Sequence, residues 1–575
     1  MLTQPDYVPY SVYSTWGFHD ELGDTVDLTE ELAQRALDRI EAWRQKPGYQ
    51  FDVFHIDCYW FEKSEPFTEF DRTLWPNGPD SVFERAKSMG MKLGLWYPVN
   101  GQRMTCKSWD DSRAEEMQLP GFSLVDGPFA DDFEAALLHA AEVWGVRHFK
   151  FDFAAFGASA ANSERSVRET MRQSIARFKQ MLRKLRAAFP DVHVITHCGF
   201  ARTEQSTVAG SPLALAVDPA WLEVADGMFP GDPHPIDIPQ TSLVRNIDVY
   251  SDRQVWALHR HGYPLHRIED SACIIGDTNT CCYRGREGFR RTWLATLARC
   301  SRRGFFYGNP EVLTDDDVVF MKDAQDLFFD AFGRNLNSSF VGDGEPGQAP
   351  WHGYLTGGGD CGLLYLVNPH QRPVESRLLL TDLNDAHVLF HDGEQPPVVQ
   401  VQPDLLCVQL GPEQMTLIGT GAYAATTYEL GNANDPPLPG SMSLLPCSFR
   451  EVAPGSYEAT ISLDRGRRVF ASAQTLEREA YGVAEGLPYR FGRQFSSGEA
   501  GSDVPASIAH DQLQINLQKH GEAIEETRRI PDVPIWSGIS WVAKTFDAPA
   551  GDLVLRVTQS LPEKKRILVR VYTYS

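Results

Sequence analysis

The strongest restriction on the fold of this chain is the regular alternation of short apolar segments with longer amphipathic ones from Ser11 to Phe332. Strands and helices alternate in this way in β/α units, because a parallel strand needs a helical crossover to reach its neighbour. The eight predicted strands are Ser11–Trp16, Val53–Trp60, Lys92–Trp96, His148–Phe153, His193–His197, Leu222–Asp226, Cys273–Gly276 and Gly304–Tyr307. Eight such α/β units predict a (β/α)8 TIM barrel.

After Phe332 the apolar segments are separated by Gly, Pro and Asp, which is typical of antiparallel sheets. Predicted strands here are Gly362–Asn368, Arg377–Thr381, Leu405–Gln409, Met415–Gly419, Trp541–Phe546, Leu553–Thr558 and Ile567–Tyr572. The Pro-rich segment 432–440 is predicted to separate two all-β regions. The sequence therefore predicts a barrel over residues 1–332, an antiparallel β-sandwich over 333–430 and a C-terminal β domain over 431–575.

Two helices have clear local signals. Thr29–Arg44 is predicted to be a helix with Asp27 as its N-cap and Glu30 three residues further on, which is capping-box spacing. In a second segment, apolar residues recur at steps of three and four and therefore lie on one helical face: Val167, Met171, Ile175, Phe178, Leu182 and Leu185. This face is predicted to pack in the core.

The net charge and the apolar pattern exclude several classes of partner. The chain has 77 Asp and Glu against 54 Lys and Arg, so its formal net charge of -23 repels nucleic acid and anionic membranes. No apolar run reaches the length of about 18 residues that a membrane span needs, and the N-terminus has no secretory pattern. The ten cysteines form no C-x-x-C pair and are predicted to be reduced thiols. We expect a cytoplasmic protein with a neutral partner.

The candidate functional residues lie at the ends of the predicted strands, because the loops that follow barrel strands build the functional site. Acidic and aromatic residues converge there, together with a cysteine, a lysine and a histidine. They are Asp57, Cys58, Trp60, Trp96, Lys150, Asp152, His197, Asp226 and Asp277. A pair of carboxylates beside flat aromatic faces is what the hydrolysis of a glycosidic bond requires.

Lys150 and Asp152 lie two residues apart on one predicted strand, so their side chains point to the same face. An ammonium group beside a carboxylic acid lowers its pKa, which suits a nucleophile that must stay ionised. A structural salt bridge at the barrel rim explains the same spacing, and the local pattern leaves both interpretations open.

Several segments resemble, in order, blocks of the clan D retaining glycosidases, the α-galactosidase superfamily that includes glycoside hydrolase family 36. Trp75-Pro-Asn-Gly78 followed by Gly90-Met-Lys-Leu-Gly-Leu-Trp96 resembles FPNG…GMKFGLW, and His55-Ile-Asp-Cys-Tyr-Trp-Phe61 is similar to LDDGWF. Lys150-Phe-Asp152 resembles the K-x-D nucleophile motif. Val224–Pro233 resembles the SDDFFPRDP segment of the raffinose-synthase branch.

The resemblance implies a retaining, exo-acting, α-galactosidase-like hydrolase that acts on an oligosaccharide or glycoside without a cofactor. It implies Asp152 as the nucleophile and Asp226 as the acid/base, with the two carboxyl groups about 5–5.5 Å apart. Asp252, which is expected to be a helix N-cap, and Asp232 stay open for the second role. The substrate-binding residues are expected to be Asp57, Cys58, Trp60, Trp96, Lys150, His197, Arg202 and Asp277.

Two departures from the family pattern affect the predicted pocket. Cys58 stands where the family has the second Asp of its strand-two motif, and the signature CSGGGGRxD is reduced to Cys198-Gly-Phe-Ala-Arg202. The Asp pair commonly binds the outer hydroxyls of the sugar, so recognition of galactose does not follow from the resemblance. We expect a divergent member whose sugar and linkage are open.

Two other functions are compatible with the same residues. A transglycosidase of the raffinose- or stachyose-synthase type uses the same carboxylates and excludes water from the glycosyl-enzyme. A carbohydrate-binding protein without catalysis is favoured only by the altered Asp57-Cys58 pair. Residues 431–575 are expected to be structural, carbohydrate-binding or oligomer-forming. No catalytic metal is predicted, because Cys58 points away from His55 and Asp57 on a strand, and a structural ion stays open.

Overall fold

The computed structural model describes eighteen segments of the chain, and every structural statement below concerns these residues. They are residues 8–18, 27–58, 60–62, 67–100, 122–152, 154–197, 219–230, 243–270, 273–275, 288–299, 301–342, 344–370, 372–393, 395–433, 442–477, 513–530, 541–560 and 565–574.

The first part of the chain forms a curled parallel sheet of eight strands. In chain order they are β1 Tyr10–Ser14, β2 Val53–Ile56, β3 Lys92–Pro98, β4 Val146–Asp152, β5 His193–His197, β6 Gly227–Phe229, β7 Ile274–Ile275 and β8 Arg303–Gly308. Their order in the sheet is β6-β5-β4-β3-β2-β1-β8-β7, and one parallel bridge joins Met228 of β6 to Ile268, which precedes β7. The predicted alternation of strand and helix is therefore present, with β6 and β7 at the two ends of the ladder.

Helices connect these strands and pack on the sheet. They are α1 Glu30–Gln45, α2 Asp80–Ser88, α3 Phe129–His139, α4 Val167–Ala188, α5 Leu243–Arg260, α6 Phe289–Ala298 and α7 Asp315–Gly333. The predicted face of α4 is largely correct, because Phe178, Leu182 and Leu185 are buried, whereas Val167 at the start of the helix is exposed. The N-cap of α1 is Thr29, whose hydroxyl accepts a hydrogen bond from the backbone N–H of Leu32, and the prediction of Asp27 for this role is wrong.

The prediction for strand six is wrong in a way that matters for the site. Residues Pro219–Glu223 form a short 3-10 helix, and the strand begins only at Gly227. The apolar run Leu222-Glu-Val-Ala had been interpreted as a buried strand, and a short apolar run is equally compatible with a buried helical turn. Asp226 therefore precedes β6 instead of ending it.

Two antiparallel sheets follow the parallel one and share a leucine-rich core that includes Leu364, Leu378 and Leu406. The six-stranded sheet and the three-stranded sheet consist of β9 Ser338–Val341, β10 His352–Gly357, β11 Cys361–Val367, β12 Val374–Leu379, β13 Ala386–His391, β14 Val398–Gln402, β15 Leu405–Leu410, β16 Met415–Gly421 and β17 Gly431–Asn432. Their order is β17-β13-β16-β11-β10-β9 and β12-β15-β14.

The last part of the chain forms two five-stranded sheets around a separate apolar core. Their strands are β18 Met442–Leu444, β19 Arg450–Ala453, β20 Ser456–Leu463, β21 Arg467–Glu477, β22 Leu513–Lys519, β23 Glu522–Ile524, β24 Glu526–Ile530, β25 Trp541–Ala548, β26 Gly551–Gln559 and β27 Lys565–Tyr574. The strand orders are β18-β27-β21-β25-β24 and β19-β20-β26-β22-β23. The domain boundaries after residues 332 and 430 stay predictions.

A buried polar network joins the parallel-sheet region to the sheets that follow it. Asp252 on α5 accepts a hydrogen bond from Arg299 Nε at 2.9 Å and from the Tyr354 hydroxyl at 3.2 Å, and its other oxygen lies 2.9 Å from His352 Nε2. Arg299 also pairs with Asp270 at 2.6 Å. All five side chains are buried, so this network and the apolar residues around it hold the two regions together.

Candidate active site at the carboxyl ends of the strands

The interior of the parallel sheet is unusually polar. Strand register places His55 beside Gly94 and Gly94 beside His148, and it places Trp96 beside Lys150. Neighbouring residues in a parallel ladder point to the same face, and residues two apart on one strand do so as well. Barrel interiors are normally filled with branched apolar side chains. Histidine and lysine at these buried positions therefore indicate a chemical role for the sheet interior.

Asp57, directly after β2, is the most strongly held carboxylate at this end of the sheet. It is almost fully buried, and its Oδ2 accepts hydrogen bonds from Lys150 Nζ and from the Ser14 hydroxyl, both at 3.0 Å. Its Oδ1 accepts the backbone N–H of Cys58 at 3.0 Å. A buried carboxylate needs such partners, and three donors, from β1, from β4 and from the residue that follows Asp57, therefore hold Asp57 in one orientation.

Lys150 occupies the centre of this region. Its ammonium lies 5.0 Å from the ring centroid of Phe229, at the end of β6, and 4.8 Å from that of Tyr307 on β8. Aromatic faces attract a cation at this range, and the attraction is stronger where water is excluded. The side chain of Lys150 is thus surrounded by residues from β2, β6 and β8, although the chain positions of these residues are far apart.

His55 lies below Asp57 in the sheet interior, with its Nε2 3.6 Å from Asp57 Oδ2. Burial, assisted by the charge of Lys150, lowers the pKa of His55 to about 3, although the nearby Asp57 acts in the opposite direction. His55 is therefore a neutral imidazole at ordinary pH. Its Nδ1 lies 3.1 Å from Nδ1 of His148, so one of the two rings donates to the other.

Asp152 is the last residue of β4 and is partly exposed at the carboxyl end of the sheet. It is paired in register with Pro98, the last residue of β3. The position agrees with the prediction that Lys150 and Asp152 share one face of the strand. The Lys150 ammonium donates to Asp57, so the lysine links the ends of β2 and β4.

Asp226 lies near the opposite end of the sheet from Asp152. Its backbone N–H donates to Val194 O at 2.7 Å, and its Oδ2 accepts the Val194 N–H at 2.8 Å. Val194 is paired with Phe149, which lies three residues before Asp152 on β4. Three residues of a strand span roughly 10 Å, so Asp226 and Asp152 are separated by about this distance along the strand direction. Asp226 also pairs with Arg186 at the end of α4. The expected close pair of Asp152 and Asp226 is therefore not formed.

Asp252, the second option for the acid/base, lies within α5 and is not at its N-cap, because the helix begins at Leu243. Burial alone raises the pKa of Asp252, but the charge of Arg299 and the hydrogen bond with His352 outweigh burial and hold the pKa below its ordinary value. A fully buried carboxylate in this network has a structural role in joining the two regions.

The two predicted tryptophans have different surroundings. Trp60 is fully buried, donates its indole N–H to Trp96 O at 2.8 Å and packs against Phe70, Tyr97 and Trp144. It is a core residue, and the prediction that it binds substrate is not supported by this position. Trp96 shares the interior face with Lys150, its register partner, and is the tryptophan that lies next to the site.

The remaining predicted residues divide into three groups. His197, at the end of β5, is buried, and its ring contacts Phe229 edge-on at 4.8 Å, so it belongs to the site. Cys58 is buried next to Asp57, in a turn that follows β2. The third group, Arg202, Asp232 and Asp277, lies outside the described residues.

Sequence reasoning missed three residues of the site, Ser14, Phe229 and Tyr307. Ser14 and Tyr307 end or nearly end predicted strands, so a systematic inspection of all eight strand ends would have found them. Phe229 falls in a predicted loop because strand six is predicted at Leu222–Asp226 and the structure has it at Gly227–Phe229.

No protein-family model and no curated protein matches the chain. Solved structures similar to it include a variant of the GH36 α-galactosidase AgaA from Geobacillus stearothermophilus in complex with raffinose, with 13% identity and a TM-score of 0.48 over 72% of this chain and 56% of that one. α-Galactosidase I from Mortierella vinacea has 12% identity and a TM-score of 0.45, with 74% and 100% covered. An α-amylase from H. orenii has 10% identity and a TM-score of 0.44, with 72% and 99% covered.

The alignment with AgaA thus spans little more than half of that protein. At these identities and TM-scores, the similarity decides nothing about activity or substrate. None of the helices in the described ranges has both the length and the apolarity required to cross a bilayer.

Proposed function

We propose that the protein is a retaining, exo-acting α-glycosidase with α-galactosidase-like chemistry and Asp152 as its nucleophile. The observation that carries the proposal is the Lys150–Asp57 ion pair at the carboxyl ends of β2 and β4, next to the strand end that carries Asp152. These residues belong to the two segments that resemble the glycosidase motifs. The strand ends of a β/α sheet are also where such chemistry is normally found.

In the proposed reaction, one carboxylate oxygen of Asp152 attacks the anomeric carbon, and the bond from this carbon to the leaving oxygen breaks. A carboxylic acid protonates the leaving oxygen, and the resulting carboxylate then removes a proton from a water molecule. The oxygen of this water attacks the anomeric carbon, and the bond from this carbon to Asp152 breaks, which frees the sugar and restores the Asp152 carboxylate. We assign the binding of ring hydroxyls to Asp57 and Lys150, and apolar contact with the ring to Trp96, Phe229 and Tyr307.

The acid/base is proposed to be Asp232 or Asp277 instead of Asp226. In the sequence, Asp232 follows the last residue of β6 by three positions, and Asp277 follows the last residue of β7 by two. Both therefore come after strand ends along the chain, where barrel enzymes carry catalytic groups. Asp226 comes before β6 and bonds to the beginning of β5.

The experiment that tests the function is a panel of activated aryl α-glycosides, assayed with the full chain and with Asp152→Ala. We expect release of the phenol by the wild type, with the α-anomer of the sugar appearing first by NMR, and a loss of at least about 10³-fold in Asp152→Ala. Asp191→Ala, which changes an exposed acid paired with Arg147, is the matched control.

Azide separates the roles of the carboxylates. With Asp152→Ala, azide should replace the missing nucleophile and give the β-glycosyl azide, because a single displacement inverts the anomeric centre. With the correct acid/base variant among Asp232→Ala and Asp277→Ala, azide should attack the glycosyl-enzyme and give the α-glycosyl azide. Full activity of Asp152→Ala would disprove the assignment. A sugar acceptor added to the wild-type assay distinguishes transglycosylation from hydrolysis.

A carbohydrate-binding protein without catalysis is the second candidate. The observation that favours it is the position of Asp226, which removes one carboxylate of the pair that the family resemblance implies. In that case, monosaccharides would bind in a Lys150-dependent manner by calorimetry, and no aryl glycoside would be cleaved at any enzyme concentration.

A further inference from the structure

A second polar cluster lies toward the amino ends of the strands, and His55 lies between it and Asp57. It contains His148 from β4, His193 from β5 and Glu269, which lies just before β7. One ligand-type atom from each of these three side chains lies within 4.8 Å of the others. Two imidazoles and one carboxylate form a donor set that suits divalent first-row transition metals, zinc among them.

The backbone leaves room for this cluster. A side chain at Gly227, the first residue of β6, would collide with the carboxylate of Glu269, and one at Gly94 would collide with the ring of His55. A larger residue at either glycine would therefore displace the polar side chain that it meets, Glu269 or His55. The cluster therefore occupies space that the parallel sheet keeps open.

Two buried atoms in the cluster have no hydrogen-bond partner in the described part of the chain. They are Nε2 of His148 and Oε2 of Glu269, and both residues have only 1% of their surface exposed. Leaving a buried polar group unsatisfied costs about 1–3 kcal/mol, and such groups are rare in native proteins. Both are atoms with a lone pair that a bound cation would satisfy.

Neighbouring groups orient the two rings for binding. His148 Nδ1 lies 3.1 Å from His55 Nδ1, and a proton on the former leaves the lone pair of His148 on Nε2. The His148 and His193 rings are stacked with centroids 5.3 Å apart and planes 10° apart. His193 Nε2 lies 2.6 Å from Glu269 Oε1, and its Nδ1 lies 3.8 Å from Asp226 Oδ2. His55 beside His148 and Asp226 beside His193 are second partners of the kind that commonly fix metal-binding histidines, whereas Glu269 belongs to the cluster itself.

We propose that His148 Nε2, His193 Nε2 and the Glu269 carboxylate form a binding site for one zinc-type divalent ion at the amino ends of β4–β6. The Asp226 carboxylate then lies near Nδ1 of His193, the ring nitrogen that does not bind the ion. Glu269 supplies a negative charge next to the ion. Asp226 is already paired with Arg186, and Arg303 stacks on Tyr10 beside the cluster. The three ligands come from β4, β5 and the segment that precedes β7, so we assign the ion the role of fastening this segment to β4 and β5.

The test uses the full chain, stripped with a chelator and dialysed against metal-free buffer. We expect one equivalent of Zn²⁺ to bind by calorimetry, Co²⁺ to give visible absorption bands, and added Zn²⁺ to raise the melting temperature. His148→Gln and Glu269→Gln should weaken binding by at least about 100-fold. His261→Gln, which changes an exposed histidine at the end of α5, should bind as the wild type does.

Two results would overturn the proposed metal site. Wild-type protein that is folded by circular dichroism and binds neither ion overturns the proposal, and so does undiminished binding in both cluster variants. If a variant does not fold, X-ray absorption of the zinc-loaded wild type decides the question. Two imidazoles in the first coordination shell support the site, and fewer than two overturn it. These readouts do not depend on glycosidase activity, so the two proposals can fail separately.

Discussion

Lys150 Nζ lies 3.0 Å from Asp57 Oδ2, with both side chains at least 96% buried. The pair links β4 to the end of β2 and connects two segments that are 93 residues apart in the chain. A buried pair of this kind contributes more to the uniqueness of the arrangement than to net stability, because desolvation of both charges offsets much of their attraction.

Replacing Lys150 should therefore destabilise the protein, because the charge of the Asp57 carboxylate remains buried. Lys150→Met leaves the Asp57 carboxylate buried without its cation, and we expect a loss of about 3–5 kcal/mol in the free energy of unfolding, measured by chemical denaturation. The double variant Lys150→Met/Asp57→Asn should lose less than the sum of the single variants. Lys322→Met, which breaks an exposed pair with Asp326, should cost at most about 1 kcal/mol. Additive effects of the two buried changes would contradict the coupling.

Asp226→Ala distinguishes a structural carboxylate from a catalytic one. We expect it to lose about 1–3 kcal/mol of stability, because the Val194 N–H loses its acceptor and Arg186 loses its partner. On any aryl glycoside that the wild type cleaves, kcat should stay within a factor of about two. A drop in kcat of more than about 100-fold, with recovery by azide, would return the acid/base role to Asp226.

Asp252→Ala should destabilise the junction between the parallel sheet and the antiparallel sheets. The buried guanidinium of Arg299 pairs with Asp252 and Asp270, and the substitution removes the first of these carboxylates. We therefore expect the free energy of unfolding to fall by about 3–5 kcal/mol. Thermal unfolding measures the effect. Asp326→Ala, on the exposed side of α7, is the control with an expected change of at most about 1 kcal/mol. Equal melting temperatures for the two variants would refute the prediction.

His266 should make stability depend on pH. Burial, assisted by Arg302 and Arg267, lowers its pKa to about 4 from an ordinary value of 6.5. The unfolded chain therefore binds this proton more readily than the folded one, so the stabilising contribution is complete above pH 6.5 and declines as the pH falls toward 4. Denaturation at pH 7.5 and pH 5 should show a smaller decrease for His266→Gln than for the wild type. The exposed His261→Gln should follow the wild type, and equal pH dependence in all three proteins would disprove the role.

Gly227→Ala tests how tightly the cluster at the amino ends is packed. The new methyl group would collide with the Glu269 carboxylate, so we expect a loss of about 1–3 kcal/mol in unfolding free energy and weaker Co²⁺ binding. Gly333→Ala is the matched control, because a methyl group there meets no neighbouring atom within 4 Å. Stability that changes equally in both variants would show that the collision is relieved without cost.

The sequence by itself determined the order of strands and helices, because apolar periodicity is a local property of the chain. β5 begins and ends where predicted, at His193 and His197, and β3 and β8 differ from prediction only at their ends. The candidate residues on β2, β4 and β5 followed from their positions at strand ends. Strand six was misplaced, since the short apolar run before Asp226 has no periodicity that separates a strand from a helical turn.

Only the tertiary structure decided which polar groups meet. Period-two alternation placed Lys150 and Asp152 on one face, and strand register also brings the Lys150 ammonium within hydrogen-bond distance of Asp57, which alternation did not predict. The same register places Asp226 at the opposite end of the sheet and gathers His148, His193 and Glu269 into one cluster. Contacts between residues distant in the chain depend on how strands pair and tilt, and no local pattern in the sequence records that pairing.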